Sequence, residues 1–392
     1  MELYILDSRL RRIEVIDQFE SLIWTERWGD IGDFELIIHS TPERRRRLVA
    51  DTMFATNDSD RVMVIETVEN SRNSDGLATL SVTGRTIEKI LDDRVATEGF
   101  AGLTDKPEWV LTGTPGNIAR HIFQKICVEG ILSTADIIPF ITEGTLYPEN
   151  SITEPDQVIT MEFPIASVHE SIKDVCDIYS LGYRLVRNLD FSELYFDIYT
   201  GSDRTTQQSS LAPVVFSPNL DNLQDIKELS SVATYKNVAY VISKNGTEVV
   251  YANGVDPSAT GFKRRVMVVD ANDIDEAITG PELQTMLINK GLEELAKNRS
   301  VYAFDGEIPQ TSSYLYGIHY HLGDIVEMRT EEGITNNMRV TEQIFVSDAE
   351  GDRSYPTLAL DTLIMPGTWQ SWDFGETWST ADDEWATAGP SW

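Results

Sequence analysis

The chain has 392 residues, 41% of them hydrophobic, and 32 basic against 64 acidic residues leave a formal charge of −32. That length predicts two to four domains with real apolar cores. That charge excludes phosphate binding by the general surface, which needs Lys and Arg to displace counterions, and it disfavours anionic membranes. No apolar run approaches a membrane span and the opening MELYILDSRLRR lacks the apolar core of a signal peptide, so synthesis in a cytoplasm without membrane insertion is expected.

Residues 1–95 read as strands. Leu3 and Ile5 alternate with Tyr4 and Leu6; Leu22, Trp24 and Trp28 share a face; Phe34, Leu36 and Ile38 alternate after the Gly29–Gly32 turn. Thr41-Pro42-Glu43 predicts the cap and first turn of a short helix that carries Arg44, Arg45, Arg46 and Arg47, the strongest basic run. Those arginines suit either a solvated helix face or docking onto an acidic neighbour. The segments RVMVIETVEN and LATLSVTGR predict two further strands, and Arg85–Leu91 a short helix with Ile87, Ile90 and Leu91 inward.

Residues 96–205 read as α/β. Thr114-Pro115 opens a helix with Ile118, Ile122, Phe123, Ile126 and Cys127 on one face, closed by Gly130. Ser167 to Glu170 is a capping box, followed by Val168, Ile172, Val175, Cys176 and Tyr179 at helical spacing. Both cysteines thus fall on apolar stripes and are expected to be buried free thiols. Two strands, YRLVRNL and ELYFDIYT, follow.

Residues 206–366 return to strands. NVAYVIS and EVVYAN flank the Asn245-Gly246 hairpin signal, and KRRVMVVD is another strand. Thr279-Gly280-Pro281-Glu282 predicts a second capping box and a helix over 281–298, weakened in its middle by Gly291. SVYAFDGEI, DIVEMRT and NMRVTEQIFV complete the strands. Residues 367–392 differ: Trp369, Trp372, Trp378, Trp385 and Trp392 stand among Asp373, Glu376, Asp382, Asp383 and Glu384, with no Lys or Arg. Aromatics at this density predict a hairpin or docking strip that packs on the body or on another chain.

The segments IWTERWGDIGDFEL, LSVTGRTIEKILDDRV, VVFSPNLDNLQDIKELSSVATYKNVAYV and YLYGIHYHLGDIVEMRTEEGITNNMRVTEQIFVS occur in an order that resembles the tail hub proteins of long-tailed, non-contractile bacteriophages. That family is also known as tail-associated lysin N-terminal regions or baseplate hubs, and the resemblance spans roughly residues 1–365. It implies a β-rich α+β fold, with two tail-tube-like β-barrel domains and an inserted α/β domain. It implies a homotrimeric ring in the virion's tail tip, assembled in the host cytoplasm. The implied partners are the distal tail protein ring, the tape measure protein and more distal tip or fibre proteins. Longer members carry wall-cutting or fibre modules after this body, and no such module is legible here.

Chemistry-bearing motifs are sparse. His319 and His321, on one face of an expected strand with Asp324 nearby, invite a metal reading but lack a third His or Cys; boundary histidines are the plainer expectation. Asp92-Asp93 and Glu331-Glu332 show no paired-carboxylate geometry, and no nucleophile-elbow, zincin or P-loop motif occurs. Ser371–Trp378 matches the S-x-D-x-G-x-T-W turn of sialidase propellers, in a single copy. The expected role is therefore a structural hub with no enzymatic activity and no cofactor. A tail-tip cell-wall hydrolase and a carbohydrate-binding adhesin that uses the tryptophans are the alternatives.

Overall fold

The computed structural model describes residues 1–72, 76–99, 108–138, 140–143, 155–188, 193–252, 254–274, 277–308, 314–330 and 335–360. The expected strip of C-terminal tryptophans, its Asp-box-like turn and Glu331-Glu332 lie outside the described residues.

The first region forms β1 (Leu3–Leu6), β2 (Arg12–Ile16), β3 (Ser21–Arg27), β4 (Asp33–His39), β5 (Met53–Thr56), β6 (Met63–Arg72) and β7 (Ala78–Thr86), with helix α1 (Pro42–Arg47) between β4 and β5. Strand alternation explains the pairing. Trp24 lies opposite Phe34, Leu36 opposite Val82 and Ile38 opposite Leu80, so one sheet face becomes continuous and apolar. Phe54 closes onto Phe34 edge to face at 5.5 Å. A 3-10 turn, Ile87–Leu91, follows, and it buries Ile87 and Leu91 as expected but also Glu88, while Ile90 is only half-buried.

The middle region holds β8 (Val95–Ala96), β9 (Glu108–Gly113), α2 (Pro115–Phe123), β10 (Ile141–Glu143), β11 (Ile159–Pro164), β12 (Ala166–Ser167), α3 (Val168–Tyr179), β13 (Gly182–Asn188) and β14 (Glu193–Tyr199). Helix α2 runs into a π-helical turn, Gln124–Val128, that buries Cys127. The capping box at α3 is complete: Glu170 N–H donates to Ser167 Oγ at 3.1 Å and Ser167 N–H to the Glu170 carboxylate at 3.3 Å. Helices α2 and α3 pack on the sheet β10-β14-β13, and Phe123 stacks on Phe196 at 4.0 Å.

The last region adds β15 (Val215–Phe216), β16 (Gln224–Ser231), β17 (Val238–Ser243), β18 (Gly246–Tyr251), β19 (Val266–Asp270), α4 (Pro281–Lys297), β20 (Val301–Glu307), β21 (Ile325–Arg329), β22 (Thr335–Asp348) and β23 (Gly351–Leu360). The β17–β18 hairpin turns on Lys244-Asn245, and Gly246 already opens β18, because the Ser243 hydroxyl bonds both the N–H and the carbonyl of Gly246. The second expected capping box does not form. Gly280, at φ +71°, occupies the cap position of α4, and it has no side chain to accept the first-turn N–H groups.

One 13-stranded sheet runs β16-β20-β23-β22-β3-β4-β7-β6-β5-β1-β2, with β21 and β15 branching from β22. Its centre is the antiparallel ladder of β3 on β22, from Arg27–Glu342 to Ser21–Asp348, which joins the two ends of the chain. On one side the first region has its own core, around Trp24, Phe34 and Phe54; on the other Phe216, Phe304 and Tyr320 build a second. A third core runs through α2, α3 and α4 and takes in the three-stranded sheet β18-β17-β19. Among the described residues the outermost strands β2 and β16 do not pair with each other, and no helix is long and apolar enough to cross a membrane.

Gly291 makes a close approach possible. A Cβ there would stand 2.6–2.9 Å from side-chain carbons of Val250 and Val241, so α4 lies directly on its sheet. Gly291→Ala should therefore destabilise the chain by roughly 1–3 kcal/mol through overpacking, although alanine is favoured over glycine by about 1 kcal/mol in an exposed helix. Urea unfolding reads the sign, and a stabilised variant would show that the contact relaxes freely.

Where α3 meets α4, burial and then the neighbouring Glu293 push the Asp174 carboxyl up to about 6, against the pull of Lys297. Its folded pKa exceeds the unfolded value, so the folded chain holds a proton that the unfolded chain has released, and stability drops as pH rises from about 4 to about 6. Asp174→Asn should flatten that slope and leave the chain at least as stable at pH 7. Denaturation midpoints at pH 5, 6 and 7 test this, and an unchanged slope would rule it out.

Candidate functional site: a buried ionic junction of three chain regions

Strand β3 sends Leu22 and Trp24 inward, and Glu26 stands in the same phase. A carboxylate is thus carried into the interior with only 1% of its surface exposed. It is accommodated by donors from three directions. Trp24 Nε1 donates at 3.0 Å, Tyr316 Oη at 2.9 Å, and the Ser59 hydroxyl also donates to it. Burial, offset by the pull of Arg61, leaves the Glu26 carboxyl above the usual carboxylate range.

Arg61 lies beside it, 3% exposed, in the loop between β5 and β6. Its guanidinium pairs with Glu88, and it reaches the Tyr199 hydroxyl at 3.5 Å. Burial alone would lower the Arg61 pKa, but the facing Glu88 and its other anionic neighbours hold it above its ordinary value. The Glu88 carboxylate also accepts the Leu185 backbone N–H at 2.8 Å. Arg184 bridges Asp197 at 3.2 Å and lies 4.6 Å over the Tyr199 ring. Below this cluster Arg339 of β22 donates to the Thr200 and Gly323 carbonyls at 2.8 and 2.7 Å, with its guanidinium 4.3 Å from the Trp28 ring. Asp324 accepts Ser202 N–H at 2.7 Å and Arg204 Nε–H at 2.9 Å.

The junction therefore joins the first region (Glu26, Arg61, Glu88), the middle one (Arg184, Asp197, Tyr199) and the last (Tyr316, Asp324, Arg339). Most of its polar groups are directed at one another, while Glu88 Oε2 and Trp28 Nε1 are buried without a hydrogen-bond partner, and the whole has the arrangement of a fastening. It was missed in the sequence, although one signal was available: in SLIWTERW the charge of Glu26 falls on the apolar phase of the strand.

The residues singled out from sequence lie elsewhere. Thr41 caps α1 by accepting Arg44 N–H at 3.1 Å. Two of the four arginines are used internally: Arg44 donates to the His39 and Gln18 carbonyls at 3.0 and 3.2 Å, and Arg47 faces Glu14 at 3.2 Å. Arg45 and Arg46 face solvent, with exposed Val49 nearby.

His319 and His321 are not on a strand. Gly317 and Gly323, at φ +78° and +88°, fold residues 314–324 into turns. His319 Nδ1 accepts Leu315 N–H at 3.0 Å, and His321 Nδ1 stands 3.8 Å from Asp324, whose oxygens are already engaged. Among the described residues no three His, Cys, Asp or Glu side chains are grouped to hold a metal. Cys127 and Cys176 are buried and unbridged, and burial pushes the Cys127 thiol up to about 12.

This fold resembles that of solved phage tail proteins. The tail protein of Neisseria meningitidis MC58 superposes with a TM-score of 0.57 at 13% identity, covering 92% of this chain and 97% of that one. The 43 kDa tail protein of prophage MuSo2 from Shewanella oneidensis gives 0.55 at 13% identity, with 92% and 96% covered. Among curated proteins none matches the sequence. Residues 2–358 match the model of the Siphovirus ReqiPepy6 Gp37-like proteins, and the chain belongs to that family.

Removing one member of the buried pair leaves an uncompensated charge. Arg61→Met should cost roughly 3–5 kcal/mol, and Arg61→Met combined with Glu88→Leu should recover a large part of it. Urea unfolding of the single and double variants measures the difference. Equal losses in both would mean that the pair is not the fastening described.

Proposed function

We propose that the chain is a structural hub at the tail tip of a siphophage, without enzymatic activity. Three copies form a ring that closes the tail tube and links the distal tail protein ring to more distal tip or fibre proteins, with the tape measure protein ending above it. The observation that supports this reading is the pair of β-rich halves. Each has its own apolar core, and the β3–β22 ladder sets them side by side. One chain then supplies two tube-like β-barrel units, and a trimer presents six to a hexameric neighbour. Closure of each half into a barrel is completed in the ring, where the outer strands β2 and β16 find neighbours.

The acidic surplus fits a wall past which DNA slides without sticking, because like charge repels its phosphates. Arg45 and Arg46, with Arg44 and Arg47 fixing their helix, are placed to meet an acidic neighbour. Trp369, Trp372, Trp378, Trp385 and Trp392 form an aromatic docking strip that packs on the body of the chain or on another chain.

Light scattering after size exclusion, on the full chain at several concentrations, is expected to give a trimer, alone or once the phage's distal tail protein is added. Averaged electron micrographs of that species should show three-fold symmetry with six lobes. A monomer under both conditions overturns the ring.

A further inference from the structure

The sheet β18-β17-β19 is covered by α4 on one face, and past the buried Val238 its opposite face is open. Ala239, Val241 and Val250 lie beneath α4 and are buried, so strand alternation turns Tyr240, Ile242, Val249 and Val268 to the opposite side. There all four are exposed, Val268 at 66%. Register sets Val249, Tyr240 and Val268 abreast in one row across the three strands. Phe262, in the turn that leads into β19, is 96% exposed. An apolar row of this kind, rimmed by polar groups, marks a contact surface.

The rim is basic. Lys263, Arg264 and Arg265 follow Phe262 directly, and Arg264 donates to the Tyr240 hydroxyl at 3.2 Å, which sets its charge over the aromatic part of the face. Asp270 stands at the far end. The fitting occupant is aromatic and acidic.

The chain holds such a segment, and it starts nearby. Strand β23 ends at Leu360, and Ala359 pairs with Ala303. Leu360 therefore lies beside Tyr302, and the neighbouring Val301 pairs in turn with Ser231 at the end of β16. Arg265 Nη1 donates to the carbonyl of the next residue, Val232, at 3.3 Å, so the basic rim begins where β23 ends. Residues 361–366 span up to about 20 Å when extended, enough to reach the face. Tethering also raises the local concentration of the segment to the millimolar range.

We propose that residues 367–392 of the same chain dock on this face, with tryptophans over the Val249–Tyr240–Val268 row and Asp382, Asp383 and Glu384 against Lys263–Arg265. The segment thereby belongs to the body of its own copy, and the ring reading does not depend on it.

The test places p-benzoylphenylalanine at position 268 of the full chain, in a mixture of unlabelled and 15N-labelled copies, and maps the photoproducts by mass spectrometry. Crosslinks to peptides within 367–392 of the same copy are expected, and none from the equally outward position 13. Crosslinks only to the other copy, or none to this segment, overturn the proposal. As a second readout, Ile242→Asp with Val268→Asp in the full chain leaves the α4 side of the sheet untouched. It should increase acrylamide quenching of tryptophan fluorescence and shift the emission to the red, and unchanged quenching and emission would also overturn it.

Discussion

Arg61 has been taken out of water, and the placement of the three regions depends on that. A guanidinium buried this deeply costs several kcal/mol in lost hydration, which only close and well-oriented anions and hydrogen-bond acceptors offset. The offsetting groups come from different parts of the chain. Glu88 lies on the turn after β7, Glu26 on β3, and the Tyr199 hydroxyl on β14 of the middle region. Glu88 is held in turn by the Leu185 backbone, and Glu26 by Tyr316 near the other end of the chain. Misplacing any of the three regions leaves a buried charge short of partners. The junction thus adds little net stability but penalises every arrangement except one, which is what a part that must meet its neighbours at fixed angles requires.

Much of the secondary structure was legible because its causes are short-range. Alternation at Phe34, Leu36 and Ile38 sets a strand phase, and Ser167 with Glu170 sets a helix start, whatever lies around them. The misreadings share a different cause. His319 and His321 sit in an alternating stretch, but Gly317 and Gly323 adopt positive φ and turn it into a loop. Gly291 looked like a weak point in a helix and is instead the place where α4 touches Val250. The ladder of β3 on β22, the parallel pairing of β17 with β19 and the meeting of Glu26 with Tyr316 link residues far apart in sequence, which no local period encodes. The junction was therefore the least legible part, though Glu26 on an apolar strand phase was a visible anomaly. A charge on the wrong face of a strand says that a partner exists without saying where.

The charge balance acquires a spatial meaning once the pairs are placed. Arg27, Arg61, Arg184 and Arg204 are held in buried or half-buried bridges with Glu342, Glu88, Asp197 and Asp324. Each bridge removes one charge of either sign from the surface, so the surplus of 32 acids stands against a depleted set of exposed cations. Against such a background a small basic cluster gains direction. Arg45 and Arg46 on α1, and Lys263 to Arg265 beside the open face of β17–β19, are concentrations of positive charge on that background. The same internal pairing that fixes the regions therefore also sharpens the contrast between the acidic surface and these basic clusters.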